Sequence, residues 1–264
     1  MELIQVPKGF PKNALSKNIL KKSNDSSQPE PAKLPLEHIA VIMDGNRRWA
    51  DLHGVPRLMG HKAGVKTLKE IVRHAGELHL AYLTVYAFSS ENWHRSKEEV
   101  RYLFDLFTSV LADEFDEIAE NNVRLRFLGN FNQLPGKLAE QFRQAMRRTE
   151  HNSGLKLQVA INYGSRSEIT EAVQKIVQDA LTHKIQIDKI DDELIASYLY
   201  TKGIPDPELM IRTGGEMRLS NYLLWQAAYT ELYVTEVLWP DFGPTELDRA
   251  IQEFSSRVRR YGGD

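Results

Sequence analysis

From Ile39 to Met43 the chain carries Ile-Ala-Val-Ile-Met without a polar break, and this run constrains the fold more than any other feature. A strand wet on one face alternates apolar with polar residues. An unbroken run is the mark of a strand covered on both faces, so layers must lie on either side of it. The rest of the chain supplies them. A helical stretch from about His61 to Leu78 precedes a second strand over Ala81 to Phe88. A long helix from about Lys97 to Glu120 places Val100, Leu103, Phe104, Phe107, Leu111, Phe115 and Ile118 near three-and-four spacing, which gives it one oily face. Val123 to Leu128, Leu155 to Ile161 and Glu208 to Ile211 read as further strands. Helices are expected around Gln133 to His151, Ser167 to Thr182 and Asp191 to Tyr200. Strand, helix and strand in this order predict right-handed crossovers and an α/β fold: a central, mostly parallel sheet flanked by helices.

No repeat, heptad pattern or second linker interrupts this series, so one domain over 37–264 is expected. Residues 1–36 hold scattered lysines and prolines and the polar stretch Ser23 to Gln28, without helical or strand period, and read as a disordered tail. The 34 Lys and Arg nearly balance 36 Asp and Glu, a formal net charge of -2, so no nucleic-acid partner is expected. With no cysteine, thiol nucleophiles, disulfides, thiolate zinc sites and iron–sulfur clusters are excluded. No apolar run approaches the roughly 18 residues of a spanning helix, so a soluble, cytoplasmic protein is expected, with a peripheral place at the membrane surface as the furthest extension.

In parallel sheets ligands gather beyond the carboxyl ends of the strands. The first strand ends in Asp44-Gly45-Asn46-Arg47-Arg48-Trp49. Glycine allows close backbone approach, a helix start offers free N–H groups, and two arginines add forked donors for phosphate oxygens. A carboxylate facing such an anion site repels it unless a cation such as Mg2+ lies between them. The same residues also read as a plain turn with solvated arginines. Arg57 and His61, one helical turn apart, stand at the next helix start. The second strand runs into Ser89-Ser90-Glu91-Asn92-Trp93-His94-Arg95, where Ser96 and Glu99 suit a capping box but do not account for the polar cluster before them. After the last strand, Arg212-Thr213-Gly214-Gly215-Glu216-Met217-Arg218-Leu219-Ser220-Asn221 forms a second candidate phosphate cradle, or an ordinary glycine-rich loop. Tyr222 to Tyr233 reads as core, with Glu231 its acidic exception: a salt-bridge partner or a second carboxylate near a metal. Dinucleotide, Walker-type and His-Glu-x-x-His zinc motifs are absent, as is the Asp-Asp-x-x-Asp signature of trans-prenyl synthases.

Five ordered motifs carry a resemblance. They are His38 to Asn46, Gly60-His61-Lys62-Ala63-Gly64, Tyr86 to Trp93, Ile211 to Glu216, and Glu231-Leu232-Tyr233 through Trp239-Pro240-Asp241-Phe242. On these the chain resembles the cis-prenyltransferase family, on its bacterial, undecaprenyl-diphosphate-forming branch, from about Pro35 to Gly263. The resemblance implies an enzyme that condenses isopentenyl diphosphate onto an allylic diphosphate, usually farnesyl diphosphate, with Mg2+ required and each new double bond cis. It implies Asp44 as metal and catalytic carboxylate, with Gly45, Asn46, Arg47, Arg48, Arg57 and His61 around the allylic diphosphate. Trp49 and Phe88 would contact its chain. Arg212, Arg218, Leu219 and Ser220 would clamp isopentenyl diphosphate, Glu231 would join the metal, and Ser89, Ser90, Glu91, Trp93 and Arg95 would line the reaction side. Asn92 takes the family's proton-acceptor position, yet a neutral amide is a poor base, so orienting water or a diphosphate oxygen is the expected role.

Further expectations follow from the same resemblance. A hydrophobic product tunnel should run between the two amphipathic helices after the first and second strands, with Ala87 near its mouth. No insertion lengthens the second helix, which favours a medium-chain product that partitions to the membrane and serves as the lipid carrier precursor for cell-wall glycan synthesis. Arg47 departs from the pattern, since many bacterial members carry glycine there. Arg260-Tyr261-Gly262 matches an Arg-x-Gly ending that, in the family, completes the site across a homodimer. A short-chain or plastid-type enzyme is the alternative. A non-catalytic accessory subunit is disfavoured because Asp44, Arg48, Asn92, Arg212 and Arg218 are all present.

Overall fold

The computed structural model describes Leu34 and residues 36–258. The expected tail over 1–36 and the Arg260 to Gly262 ending therefore lie almost wholly outside the described residues. Six strands form one sheet: β1 (His38–Ile42), β2 (Tyr82–Ser89), β3 (Arg124–Leu128), β4 (Lys156–Tyr163), β5 (Leu209–Arg212) and β6 (Glu231–Val234). Their order is β3-β4-β2-β1-β5-β6, and every neighbouring pair is parallel. All residues of β1 are buried, as its unbroken apolar run requires.

The helices are α1 (Asn46–Leu52), α2 (Arg57–Glu77), α3 (Lys97–Glu120), α4 (Gly136–Arg148), α5 (Ser165–Leu181), α6 (Asp192–Tyr198) and α7 (Pro244–Ser256). One core gathers Ile39, Val41, Leu83 and Val85 against Ile71 of α2, Leu103 of α3, Phe142 of α4 and Leu247 of α7. On the other face Ala40, Ile42 and Ala160 pack with Met210, Tyr222 and Leu223. The alternation within β1 thus sends its side chains into two separate cores. Near the amino ends of the strands a polar chain crosses the sheet. His38 Nε2 lies 2.7 Å from Thr84 Oγ1, which is 3.0 Å from Gln158, while His38 Nδ1 donates to the Pro205 carbonyl at 2.6 Å.

The α2 helix begins at Arg57 rather than His61, after Pro56 as its cap. Ser96 caps α3 as expected, accepting from the Glu99 N–H. Three elements differ from the sequence reading. The phosphate-loop segment at Asn46 is itself a short helix, the apolar string ending at Tyr233 contains β6, and α7 follows it. β6 spans only 4 residues and sits at the sheet edge with Leu232 exposed, so neither its length nor its burial gives a strong strand signal.

Two irregularities shape the carboxyl end of the sheet. Tyr86 pairs with Ala160 and Phe88 with Ile161, which leaves Ala87 as an extra residue. Ser89 then pairs with Tyr163, which leaves Asn162 extra on β4, at φ 48. Ala87 and Phe88 consequently both join the core beneath α2 and α3, although they are adjacent in sequence. Such bulges re-aim side chains where strands meet a site.

Candidate active site

The chain builds β1 and β2 to one side and then returns to lay β5 against β1, so the sheet order reverses between β1 and β5. A crevice opens beyond the strands at that switch point. Asp44 stands on its β1 lip. The Asp44 N–H donates to Thr213 Oγ1 at 2.9 Å, and its carbonyl accepts from the Thr213 hydroxyl at 2.7 Å and the Trp239 N–H at 3.0 Å. Gly45 makes the turn into α1 at φ 112, and a Cβ there would meet Leu238 at 2.9 Å. Only glycine suits that combination.

The Asp44 carboxylate lies between two guanidinium groups. Oδ2 accepts from Arg212 Nη2 at 2.8 Å, and Oδ1 faces Arg48 Nη2 at 3.1 Å. Arg48 also donates to the Gly214 carbonyl at 2.7 Å. Arg212 is buried, 5% exposed, and donates from Nη1 to Ser220 Oγ at 2.7 Å and to the Arg218 carbonyl, while its Nε is buried with no partner. One carboxylate against two cations leaves a surplus positive charge, as an anion site requires.

Opposite stands a 3-10 turn over Ser90–His94. Asn92 Oδ1 accepts from the Ser89 N–H at 3.1 Å, closing a capping box. Its oxygen is thereby engaged, and what Asn92 can offer a ligand is N–H donors. The Glu91 carboxylate accepts from Ser90 Oγ at 3.2 Å and Asn221 Nδ2 at 2.7 Å. Partial burial works against its charge, but these bonds, with those from its own backbone and Ser89, hold it below the usual carboxylate range. Arg95 Nη1 donates to Glu99 at 2.8 Å, and His61 Nε2 lies 3.7 Å from the same Glu99 oxygen without a hydrogen bond. Burial first, then the Arg95 and Arg47 charges, push His61 down to about 4 against the pull of Glu99, so its imidazole is neutral near pH 7.

These groups enclose a cleft of about 580 Å³ reached by Asp44, Asn46, His61, Asn92, Arg212 and Ser220, with Ser89, Glu91, Arg95 and Arg218 on its rim. Met43, Asn46, His61, Ala87 and Leu103 also line a second, apolar cavity of about 140 Å³. That cavity runs between α2 and α3 past Leu68, Phe107 and Leu111. Val65, Leu68, Val110 and Ile118 lead on to a third space of about 540 Å³ that ends at His79 and Asn121, where both helices stop. The expected passage between the two amphipathic helices is therefore present. Gly64 sets its upper end: a Cβ there would meet Trp239 at 2.9 Å and collide with the Asn46 carboxamide oxygen, which is buried without a partner.

Other candidates stand elsewhere. Trp49 bonds Asp241 through Nε1 at 2.7 Å and stacks on His53, outside the cleft. Arg57 is held by Asp51 at 3.1 and 3.3 Å on the exterior. Arg47 is exposed. Trp93 turns away to donate to Asn162 Oδ1 at 2.8 Å, and Leu219 packs against the second core. Glu231 is not brought to Asp44 within the chain. It opens β6 opposite Leu209, whereas Arg212 pairs with Val234, so it lies three strand positions back, about 10 Å. There it accepts from Arg257 at 3.0 Å. Among the described residues no cluster of three or more His, Cys, Asp or Glu could hold a metal. Thr213, Trp239, Tyr86 and Asn221 gain roles that the linear pattern does not announce, because each works through a partner more than 70 positions away.

A cationic cleft that opens into an oily passage suits a ligand with an anionic head and a long apolar chain. The chain belongs to the prenyltransferase family described as putative undecaprenyl diphosphate synthase, whose family model matches residues 42–262. It is 48% identical over 238 residues to the isoprenyl transferase of Heliobacterium mobile, covering 90% of this chain and 91% of that one. The isoprenyl transferase of Clostridium perfringens is 46% identical over 231 residues, covering 88% and 91%. Among solved structures, a probable undecaprenyl diphosphate synthase from Campylobacter jejuni superposes with a TM-score of 0.72 at 34% identity, covering 86% of this chain and 99% of that one. Lavandulyl diphosphate synthase from Lavandula x intermedia, in complex with dimethylallyl diphosphate, gives 0.84 at 34% identity, covering 86% and 98%. The protein is thus a cis-prenyltransferase. Among the described residues, no helix is long and apolar enough to cross a membrane.

Proposed function

We propose that the enzyme condenses isopentenyl diphosphate repeatedly with farnesyl diphosphate, in the presence of Mg2+, to make a medium-chain polyprenyl diphosphate of undecaprenyl length. The observation that carries this reading is the continuity of the cleft with the apolar passage through Asn46, His61 and Ala87. Farnesyl diphosphate would set its head by Asn46 and His61 and its chain between α2 and α3. Isopentenyl diphosphate would lie on Arg212, Arg218 and Ser220, where the unpartnered Arg212 Nε is a spare donor.

In the reaction the isopentenyl double bond supplies the electron pair for the new C–C bond. The allylic C–O pair leaves with diphosphate, and a proton departs from C2 of isopentenyl diphosphate. Guanidinium groups already in place stabilise the charge that develops on the leaving diphosphate. The released diphosphate, held beside the reacting carbon, is the nearest anion able to take the proton, with the Asn92 N–H groups orienting it. Mg2+ tolerates one carboxylate with the rest of its shell from phosphates and water, so Asp44, the carboxylate between the two arginines of the cleft, would hold the ion, which would supply charge neutralisation at the allylic diphosphate.

The same reading extends to a homodimer with one catalytic domain over 37–264. Glu231 sits beside Arg257, at the root of the segment that leads to Arg260-Tyr261-Gly262. In that arrangement it would serve the partner's metal site rather than its own. The product, the lipid carrier precursor for cell-wall glycan synthesis, would partition to the membrane. A short-chain product is the second reading, favoured by the higher TM-score to lavandulyl diphosphate synthase. Radiolabelled isopentenyl diphosphate incorporation with farnesyl diphosphate, with and without Mg2+, tests both. Chains of undecaprenyl length are expected. A product stopping after one or two additions supports the second reading, and Mg2+-independent turnover overturns the role of the ion.

A further inference from the structure

The loop that carries Ser220 has an unusual backbone. Ser220, Asn221 and Leu223 adopt φ of 49, 59 and 47, a left-handed region that residues with a Cβ rarely enter. Leu223 is fully buried there. Such a conformation persists only where surrounding contacts over-determine it, and Asn221 supplies three of them. Its carbonyl accepts from the Ser165 N–H at 2.8 Å and its Oδ1 from the Arg166 N–H at 2.9 Å. Gly164, the residue before α5, has no side chain to cap the helix, so Asn221 satisfies the first α5 donors from 55 positions away.

The remaining atom of the carboxamide turns the other way. Asn221 Nδ2 donates to Glu91 Oε1 at 2.7 Å. Glu91 belongs to the 3-10 turn whose next residue is Asn92, while Asn221 follows Ser220 directly, and Ser220 takes the Arg212 hydrogen bond. One side chain therefore joins the loops that follow β2, β4 and β5, and does so between the two halves of the cleft.

We propose that Asn221 is a positioning residue that sets the spacing of the two diphosphate subsites, holding the Ser220 clamp and the Asn92 turn in register through its bond to Glu91. The inference rests on the prenyl transfer reading. It adds that the Asn221 to Glu91 bond itself, and not merely the folded loop, is needed for turnover. Condensation demands that the isopentenyl double bond and the allylic carbon meet at reacting distance. A displacement of about 1 Å can cost on the order of 100-fold in rate while each substrate still binds alone.

The test exploits the polarity of the bond. Asn221→Asp keeps an oxygen to cap Arg166 but sets a carboxylate against Glu91. Turnover should fall by about 10- to 100-fold, with farnesyl diphosphate affinity within about twofold of wild type and the melting temperature retained by the improved cap. Adding Glu91→Gln supplies an amide donor to the new carboxylate and reverses the direction of the same bond. The double variant should recover most of the kcat that Asn221→Asp loses. Wild-type turnover in Asn221→Asp, or a double variant no faster than it, overturns the inference. Should Asn221→Asp fail to fold, Glu91→Ala removes the bond from an exposed position, and unchanged kcat there overturns it too. Failure of the underlying reading shows separately, as absence of condensation by the unaltered protein.

Discussion

Removing the Asp44 carboxylate should destabilise the ligand-free enzyme, contrary to the common outcome for a residue retained for chemistry. The pair it forms with Arg212 is intermediate in burial, with the arginine side chain 7% exposed and the aspartate 30%. Breaking a fully buried pair by deleting one partner costs about 3–5 kcal/mol, and an exposed pair is worth ~1 kcal/mol or less. Arg212 keeps two acceptors, Ser220 Oγ and the Arg218 carbonyl, so its charge is not stranded entirely. A cost of about 2–3 kcal/mol follows for Asp44→Ala, or about 5–10 °C in melting temperature for a domain of this size. The sign reverses for a bound anion. With the carboxylate gone, diphosphate meets Arg48 and Arg212 unopposed, so in EDTA inorganic diphosphate should raise the melting temperature of Asp44→Ala more than that of the wild type. Thermal unfolding followed by circular dichroism, with and without diphosphate, reads both effects. A ligand-free variant as stable as the wild type, or more so, refutes the picture of a carboxylate clasped between two cations.

Ala87→Leu, at the joint of cleft and passage, should shorten the products seen by thin-layer chromatography while sparing the first condensation; full-length chains would exclude Ala87 from the passage. Gly64→Ala forces α2 away from Asn46, and overpacking of about 1–3 kcal/mol outweighs the roughly 1 kcal/mol gained in helix propensity. The substitution should therefore lower the melting temperature and raise the KM for farnesyl diphosphate. Burial pushes His38 from 6.5 to about 4, so it stays neutral in the fold while the unfolded chain protonates. Stability is complete above pH 6.5 and falls by up to ~3 kcal/mol as pH drops toward 4; denaturant titrations of His38→Gln should show a flatter acid limb. Mixing Asp44→Asn with Glu231→Gln subunits should restore turnover if Glu231 acts across a dimer, because one site per mixed dimer is then intact. No recovery would return Glu231 to a structural role.

The strands and long helices were legible because burial on both faces and three-and-four spacing write themselves directly into residue order. Asp44, Asn92, Arg212 and Ser220 were legible for a similar reason, as polar clusters placed just after apolar runs. What escaped depends on pairing across the chain. Asn221 looks like any loop asparagine until Arg166 and Glu91 arrive beside it. Thr213 matters because it grips the Asp44 backbone from the neighbouring strand. Trp49 and Trp93 carry the family motif, yet each indole N–H finds an acceptor outside the cleft, and that bond sets where the ring lies. Glu231 could be placed only once β6 was recognised as running parallel to β5.

The extra residues Ala87 and Asn162 also bear on how such a chain can change length. Facing direction along a strand is a matter of odd and even, and each extra residue inverts the parity of everything after it. Because the two lie on neighbouring strands, the inversions cancel between partners, and Ser89 and Tyr163 meet in step. Deleting Ala87 alone would seat Phe88 directly after Tyr86, still facing the core beneath α2 and α3, and would leave Asn162 as an unmatched insertion in β4. Deleting both would give an unbroken ladder with Phe88 and Ser89 facing as they do now, but without the bend that bulges impose where the strands reach the cleft. What the paired insertions fix is accordingly the local bend of the two strands, and with it the aim of the catalytic rim, rather than which residues face which layer.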